Sequence, residues 1–366
     1  MGVIRRWTPV GVPVIAAIAL VLAWGTKPGI GLAILLAVIL IGAILVAVHH
    51  AEVIAHRVGE PFGSLILAVA VTIIEVGLIV SLSAGGDEHA ATLARDTVFS
   101  AFMITTTGIV GLAILVGALK FGTVRFNSEG SGAALATVST LAVLCLVLPD
   151  FTEASGPRFS PTQLTFAAIA SLALYVLFVI TQTISHRRIF LPVSESGGVI
   201  GEDDDDEEDH GEPPTLGAAL ISLVLLLVAL VSVVGLAKLE SPSIEGGVVA
   251  LGLPESVVGV IIALVILLPE GISAVRAARR NHIQTSLNLG LGSAMASIGL
   301  TIPAVAVASI WMPGQLVLGL GDTQIVLLLL SIVVSILTVV PGRATKLQGG
   351  VHLVIFAAFL FLSVSP

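Results

Sequence analysis

Eleven windows of about 20 apolar residues divide this chain, and that is the length a helix needs to cross the hydrocarbon of a bilayer. They lie near residues 9–24, 29–48, 63–84, 97–119, 132–149, 161–184, 215–237, 256–276, 287–310, 322–341 and 349–365. The runs are too long and too continuously apolar for the alternating strands of a membrane barrel, which leaves the helix as the spanning form. The expected fold class is an all-α polytopic membrane protein with about 11 transmembrane helices. Composition agrees, because only 11% of residues are charged, against roughly 25% in a soluble protein.

Orientation follows from Lys and Arg in the short loops. With the N-terminus cytoplasmic, that side carries Arg5, Arg6, Arg57, Lys120, Arg125, Arg187, Arg188, Arg276, Arg279, Arg280, Arg343 and Lys346. The other side carries Lys27, Arg95, Arg158 and Lys238 and receives the C-terminus. The formal charge of -8 is a loop property, since the excess sits in one run, "EDDDDEED" at 202–209, so it implies no affinity for nucleic acid. That run lacks the glycine and spacing of a calcium-binding EF-hand loop and reads as a solvated cytoplasmic segment that could concentrate cations.

A single cysteine, Cys145, excludes an internal disulfide and a thiolate metal cluster, so any metal must be held by oxygen or imidazole. The basic start "MGVIRRWTP" resembles a signal peptide, but no clear small-residue cleavage site follows, and an uncleaved first span is expected. The start also lacks the hydroxyl residue of a myristoylation motif.

An internal repeat appears when "GEPFGSLILAVAVTIIEVGLIV" (59–80) is set above "PESVVGVIIALVILLPEGISAV" (254–275), a shift of 195 residues. Glu60 falls on Glu255, and Glu75 falls on Glu270. Apolar matches are cheap in membrane segments, whereas Glu75 and Glu270 are the only carboxylates well inside any window. In the next helix "RDTVFSAFMIT" lies over "LNLGLGSAMAS", so that Asp96 meets Asn288 and Thr105 meets Ser297. Five spans separate equivalent elements, and an odd offset inverts the second copy. Inverted repeats with polar residues at the bilayer midplane are a recurring plan of secondary transporters.

An ionisable residue at mid-bilayer costs a few kcal/mol and usually faces a partner or a wet cavity. Each glutamate could simply hydrogen-bond a neighbouring helix in its protonated form. The sharper expectation joins them in one site. Facing carboxylates repel when both are ionised, and burial disfavours both charges, so each would hold a proton until a cation displaced it. That competition is an antiport mechanism.

Calcium wants six to eight oxygen ligands. The candidates beyond Glu75 and Glu270 are Asn288, Ser293 and Ser297 in the second repeat, with Thr72, Ser100 and Thr105 in the first. Pro269 lacks an amide hydrogen and frees the carbonyl of Val265 as a further ligand. Asp96 and Asn288 would bound the pathway. In "HHAEVIAHRVGE" (49–60), His49, Glu52 and His56 share one helix face at metal-ligand spacing, the basis of a different reading, an intramembrane metalloenzyme. A gating or proton-uptake role for Glu60, Glu255, His49, His50, Glu52 and His56 is preferred, because histidine titrates near cytoplasmic pH. A passive channel is the remaining alternative.

The segment "HHAEVIAHRVGEPFGSLILAVAVTIIEVGLI", the acidic loop after the sixth span, and "ESVVGVIIALVILLPEG" followed by "LNLGLGSAMAS" together resemble the bacterial calcium/proton antiporters of the Cha type, within the calcium/cation exchanger superfamily. The resemblance extends over nearly the whole chain. It implies one extra helix followed by two inverted five-helix repeats, with a glutamate in each repeat serving cation and proton, here Glu75 and Glu270. Val71-Thr72 and Ile266-Leu267 stand where related antiporters often carry a Gly-Asn pair.

The division expected on this basis is an extra helix over 1–28, a first repeat over 29–190, an acidic loop over 191–214 and a second repeat over 215–366. No cofactor is implied. Calcium would be the transported substrate, with sodium or potassium as the alternative because the Cha-type branch is associated with those ions too. The expected place is the lipid bilayer of a bacterial inner membrane.

Overall fold

The computed structural model describes residues 2–26, 28–59, 62–83, 88–154, 156–193, 214–254, 256–311 and 316–365. Every apolar window falls on a helix. In chain order these are α1 (Gly2–Ala23), α2 (Ile30–Val58), α3 (Phe62–Ser83), α4 (Glu88–Met103), α5 (Val110–Phe121), α6 (Ser128–Ala142) and α7 (Pro161–Ile180). They continue as α8 (Leu216–Ala250), α9 (Ser256–Ile266), α10 (Leu268–Arg279), α11 (Ile283–Ala308), α12 (Asp322–Val339) and α13 (Lys346–Val364).

Among the described residues, eight helical stretches are long and apolar enough to cross a membrane, and the bent pair α9–α10 makes a ninth. Pro9–Ala23 and Ile66–Ser81 are shorter apolar helices under the first and third windows. α2 and α8 run further than their windows, to 29 and 35 residues, so "HHAEVIAH" continues a helix.

Local chemistry explains the irregularities. A π-helical turn at Ile104–Ile109 joins α4 to α5 within one span, Ala91–Phe121. Thr105, Thr106 and Thr107 there each donate to carbonyls of the preceding turn, as hydroxyls buried in membrane helices do. Pro269 removes the amide that would close on the Val265 carbonyl, and α9 meets α10 at a bend of 51°. Its repeat counterpart, Ile74, keeps its amide, and α3 runs unbroken.

The loops sort onto two ends. At one end Val124 and Arg125 pair antiparallel with Ala344 and Arg343, and Lys120 Nζ donates to the Arg279 carbonyl at 2.9 Å. At the other, Val317 N donates to Ala91 O, Gly319 N to Pro157 O, and Arg95 Nη1 to Gly319 O. This is the sorting that the basic-residue alternation requires, with the arginine-rich loops together at one end, hereafter the basic end.

Two hydrophobic bodies make up the interior. The larger packs α4–α7 with α11–α13 around Phe99, Phe102, Ile114, Leu146 and Met295. The smaller packs α1, α2, α3 and α8 around Leu36, Ile44, Ile74 and Leu236. α9 contributes to both, Val260 and Ala263 to the larger and Val258 and Ile262 to the smaller.

Small residues let helices approach within the larger body. A Cβ on Gly349 would lie 2.6 Å from Leu115 N and 3.0 Å from Gly111 O, so α13 meets α5 backbone to backbone. In the smaller body, Pro13 denies α1 the amide that would cap Pro9 O. His50 on α2 supplies the missing donor, with Nε2 2.9 Å from that carbonyl. His50 is thus a buried tie between α1 and α2.

Candidate functional site

α3 carries Glu75 on its buried side, 3% exposed, and both carboxylate oxygens are taken by α11. Ser297 Oγ donates to Oε1 at 2.7 Å and Thr301 Oγ1 donates to Oε2 at 3.0 Å. The two hydroxyls are four residues apart, which puts them on one face of α11 a single turn apart. A carboxylate of the first repeat is therefore held by the second.

Glu270 sits in the first turn of α10, just past the Pro269 break. The bend aims this turn inward, and a Cβ on Gly271 would lie 3.8 Å from Ile109 in the π-helical turn. Glu270 is half-buried, and its Oε2 is sealed from solvent with no hydrogen-bond partner among the described residues. Its charge couples electrostatically to those of Glu52 and Glu75.

Two adjoining cavities meet here. A small one of about 10 Å³, roughly one water molecule, holds Glu75 with Thr72, Ala101 and Ser297. The larger, about 260 Å³, holds Glu270 with Asn288, Thr285, Gln182, Tyr175 and Phe178. Val71, Ser293 and Ala296 line both, so they form the partition between the glutamates. The larger cavity occupies the basic-end half, being lined by the start of α3, the end of α7 and the start of α11.

At the opposite end a third cavity, about 140 Å³, is lined by Asp96, Ser100, Ser256, Val260, Thr323, Gln324 and Ser363 among others. It lies between the starts of α4 and α9 and the end of α13, the repeat counterparts of α11, α3 and α7. Asp96 and Asn288, equivalent in the repeat, line one cavity each. Of these two end cavities, the basic-end one is lined by a glutamate, Glu270, and the opposite one by none among the described residues.

The remaining sequence candidates fall as follows. Thr72 and Ser293 line the Glu75 cavity, Thr72 also donating to Ala68 O. Thr105 is fully buried and bonds back to Ala101 O and Phe102 O. Ser100 donates to Asp96 O, and Asp96 is ion-paired to Arg95 at 2.8 Å. Asn288 donates to Phe190 O at 2.7 Å and accepts from Gln284 at 2.9 Å, which commits its amide to neighbours. Val265 lies against the smaller body beside the α9–α10 break.

His49, Glu52 and His56 are exposed on α2, and Glu52 interacts electrostatically with His49, Arg276 and Glu270. No group of three His, Cys, Asp or Glu side chains suited to a metal ion occurs among the described residues. Glu60, Glu255 and the acidic run lie outside the described residues. Thr301 was not anticipated. Continuing the helix register one turn past Ser297 would have found it.

A helical membrane bundle in which a buried carboxylate on α3 is held by hydroxyls on α11 has the form of a transporter. The chain belongs to the sodium/calcium exchanger protein family, whose sequence profile matches residues 28–184 and 221–365. It is 45% identical over 329 residues to y4hA of Sinorhizobium fredii, provisionally named an ionic transporter, covering 90% of this chain and 87% of that one. It is 36% identical over 352 residues to the sodium-potassium/proton antiporter ChaA of Escherichia coli, covering 95% and 93%. The fold is similar to the solved structure of native YfkE, with a TM-score of 0.71 at 17% identity over 98% of this chain and 99% of that one. The H+/Ca2+ exchanger CAX is similar at a TM-score of 0.69 and 16% identity, over 98% and 92%.

Proposed function

We propose that this protein exchanges a cytoplasmic cation for protons by alternating access, with Glu75 and Glu270 shared by both ions. The observation that carries the reading is the cross-repeat hold on Glu75 by Ser297 and Thr301, beside a Glu270 whose Oε2 has no hydrogen-bond partner among the described residues. Two carboxylates suit a divalent ion, because its charge offsets both when their protons leave. Calcium is the first reading on that ground.

In this cycle the basic end faces the cytoplasm of a bacterial cell, and the large cavity admits the cation. Protons leave Glu270 and Glu75 as it binds. The two hydrophobic bodies then shift against each other, closing this cavity and connecting its counterpart at Asp96 to the site. Two repeat-related cavities of which one reaches a glutamate are what one end state of such a cycle requires. Glu52 and His49 stand on α2 as proton-uptake or gating groups at the cytoplasmic mouth.

The second reading keeps the mechanism and replaces calcium by sodium or potassium, favoured by the 36% identity to a sodium-potassium/proton antiporter. Inverted membrane vesicles holding a pH-sensitive dye test both. Calcium addition should drive proton movement in the wild type, and Glu75→Gln and Glu270→Gln should each reduce it to the vesicle background. A response to sodium or potassium without one to calcium establishes the second reading. Full exchange surviving in either variant refutes the shared site.

A further inference from the structure

Two arginines face each other at the basic end. The two-residue strands Val124–Arg125 and Arg343–Ala344 pair antiparallel, with Arg125 opposite Arg343 and Val124 opposite Ala344. In the adjoining pair, Phe126 N donates to Gly342 O at 3.0 Å. Hydrogen-bonded and open pairs alternate along an antiparallel ladder, so Arg125 and Arg343 form an open pair, in which Cα atoms approach to about 4.5 Å and side chains stand closest. Val124 and Ala344 take the buried face of the ladder, and both arginines share the exposed one.

Like charges set directly opposite destabilise a strand pair. The orientation rule accounts for arginines at this end of the bundle, but it does not set two of them face to face. No carboxylate offsets them. Among the described residues neither arginine has an ion pair, and Glu129, close by in the chain, is paired with neither. Lys120 and Lys346 on the flanking helices add further positive charge.

Depth and surroundings identify the missing counter-ion. The spans that lead into the ladder end at Phe121 and Val339, and the next begins at Lys346, so both arginines lie just past the hydrocarbon, at headgroup level. Leu119, Val340 and Leu347 at those span ends are exposed apolar side chains. An anion that meets guanidinium groups and covers apolar surface together is a lipid headgroup with its tails. A guanidinium is also the side chain matched to the paired oxygens of a phosphate.

We propose that the Arg125–Arg343 pair binds the phosphodiester of an anionic phospholipid of the phosphatidylglycerol kind. One phosphate between two guanidinium groups turns a repulsive pair into an attractive bridge. Arg125 follows α5 and Arg343 follows α12, so the lipid clamps together loops from the two halves of the chain. A zwitterionic headgroup fits worse, because its ammonium brings another positive charge to the pair. This inference does not rest on the exchange reading.

The test uses the purified full chain in neutral detergent, mixed with phosphatidylglycerol or phosphatidylethanolamine. Native mass spectrometry counts the retained lipid, and thermal unfolding reads its effect. Phosphatidylglycerol should be retained at least about fivefold more tightly and should raise the unfolding temperature by about 3 °C. Arg125→Gln and Arg343→Gln should each weaken its retention about fivefold, the effect of one basic residue beside anionic lipid. Without lipid, the same variants should unfold about 1 °C above the wild type, because the repulsion is gone, and phosphatidylglycerol should reverse that order. Either variant suffices if the other folds poorly.

Equal retention of the two lipids overturns the proposal, as does undiminished retention of phosphatidylglycerol in a folded glutamine variant. Arg57→Gln, at the end of α2 in the smaller body, is the control and should keep wild-type retention. An equal loss there would show only the diffuse attraction of a basic surface. Glycerol 3-phosphate producing the same thermal shift would mean a free-phosphate site and would likewise sink the lipid assignment.

Discussion

Ser297 on α11 donates its hydroxyl to Glu75 on α3 across 2.7 Å, so two side chains separated by 222 positions in the chain close the contact between the inverted halves. Thr301 closes a second, parallel contact one turn further along α11. Each half of the chain is inert alone in this respect, since the acid comes from one copy and the donors from the other.

In the proposed exchange, competition between protons and cation at these oxygens would make apparent affinity depend on pH. Where the empty site is protonated, each displaced proton lowers the half-saturating cation concentration about tenfold per unit rise in pH, and two displaced protons lower it about a hundredfold. Calcium exchange in vesicles should follow the steeper dependence and sodium or potassium exchange the shallower. The dye assay repeated across a pH series measures the slope.

The tie between His50 and Pro9 predicts a thermodynamic coupling. Replacing His50 by leucine leaves the Pro9 carbonyl unpartnered within the bundle and should destabilise the detergent-solubilised protein by about 1–2 kcal/mol. In a Pro13→Ala background the restored helical amide can take that carbonyl, so the same replacement should do much less harm. A double-mutant cycle from thermal unfolding should yield a coupling of about 1 kcal/mol, and additive effects would show the bond to be of no consequence.

Asn288 offers a test of ligand against scaffold. Its amide nitrogen donates to the Phe190 carbonyl at 2.7 Å, and aspartate would set oxygen against oxygen there. Asn288→Asp should therefore cost about 1–3 kcal/mol of stability and exceed the loss in Asn288→Ala. Were Asn288 a direct cation ligand, the added charge would instead tighten binding. Thermal melting read beside the half-saturating cation concentration separates the two.

Gly259 is where α9 touches α4 at the wall of the opposite cavity. A Cβ there would lie 2.9 Å from Asp96 Cβ and 3.0 Å from the backbone of Asp96 and Thr97. Gly259→Val should force the helices apart at a cost of about 1–3 kcal/mol, lowering the unfolding temperature. Gly292, with nothing near its missing side chain, should tolerate alanine and serves as the control.

Much of this architecture is written in local chemistry. The apolar windows become helices because a backbone in hydrocarbon must satisfy its own hydrogen bonds, and the Pro269 break follows from one missing amide. Glu75 and Glu270 stand out in the sequence because a carboxylate in such a window is rare and these two align in a repeat. Thr301 was passed over because a threonine in a membrane helix most often bonds its own backbone, as Thr105 does. The helix register, one turn past Ser297, is the sequence signal that marks Thr301. Asn288, a candidate ligand by its oxygen, lines the large cavity, and the fold also bonds its amide to Gln284 and to Phe190, 98 positions away.

By itself, then, the sequence determined that this chain is a helical membrane protein of inverted repeats with one acid in each half, because hydrophobic length, charge alternation and proline are properties of neighbouring residues. Only the tertiary structure decided which hydroxyls grip Glu75, which end of the bundle opens onto Glu270, and that the matching acids have unmatched surroundings. Those outcomes depend on helix rotation and on contacts across more than 200 residues, where a hydroxyl can serve its own helix or a distant carboxylate and the choice is made by packing.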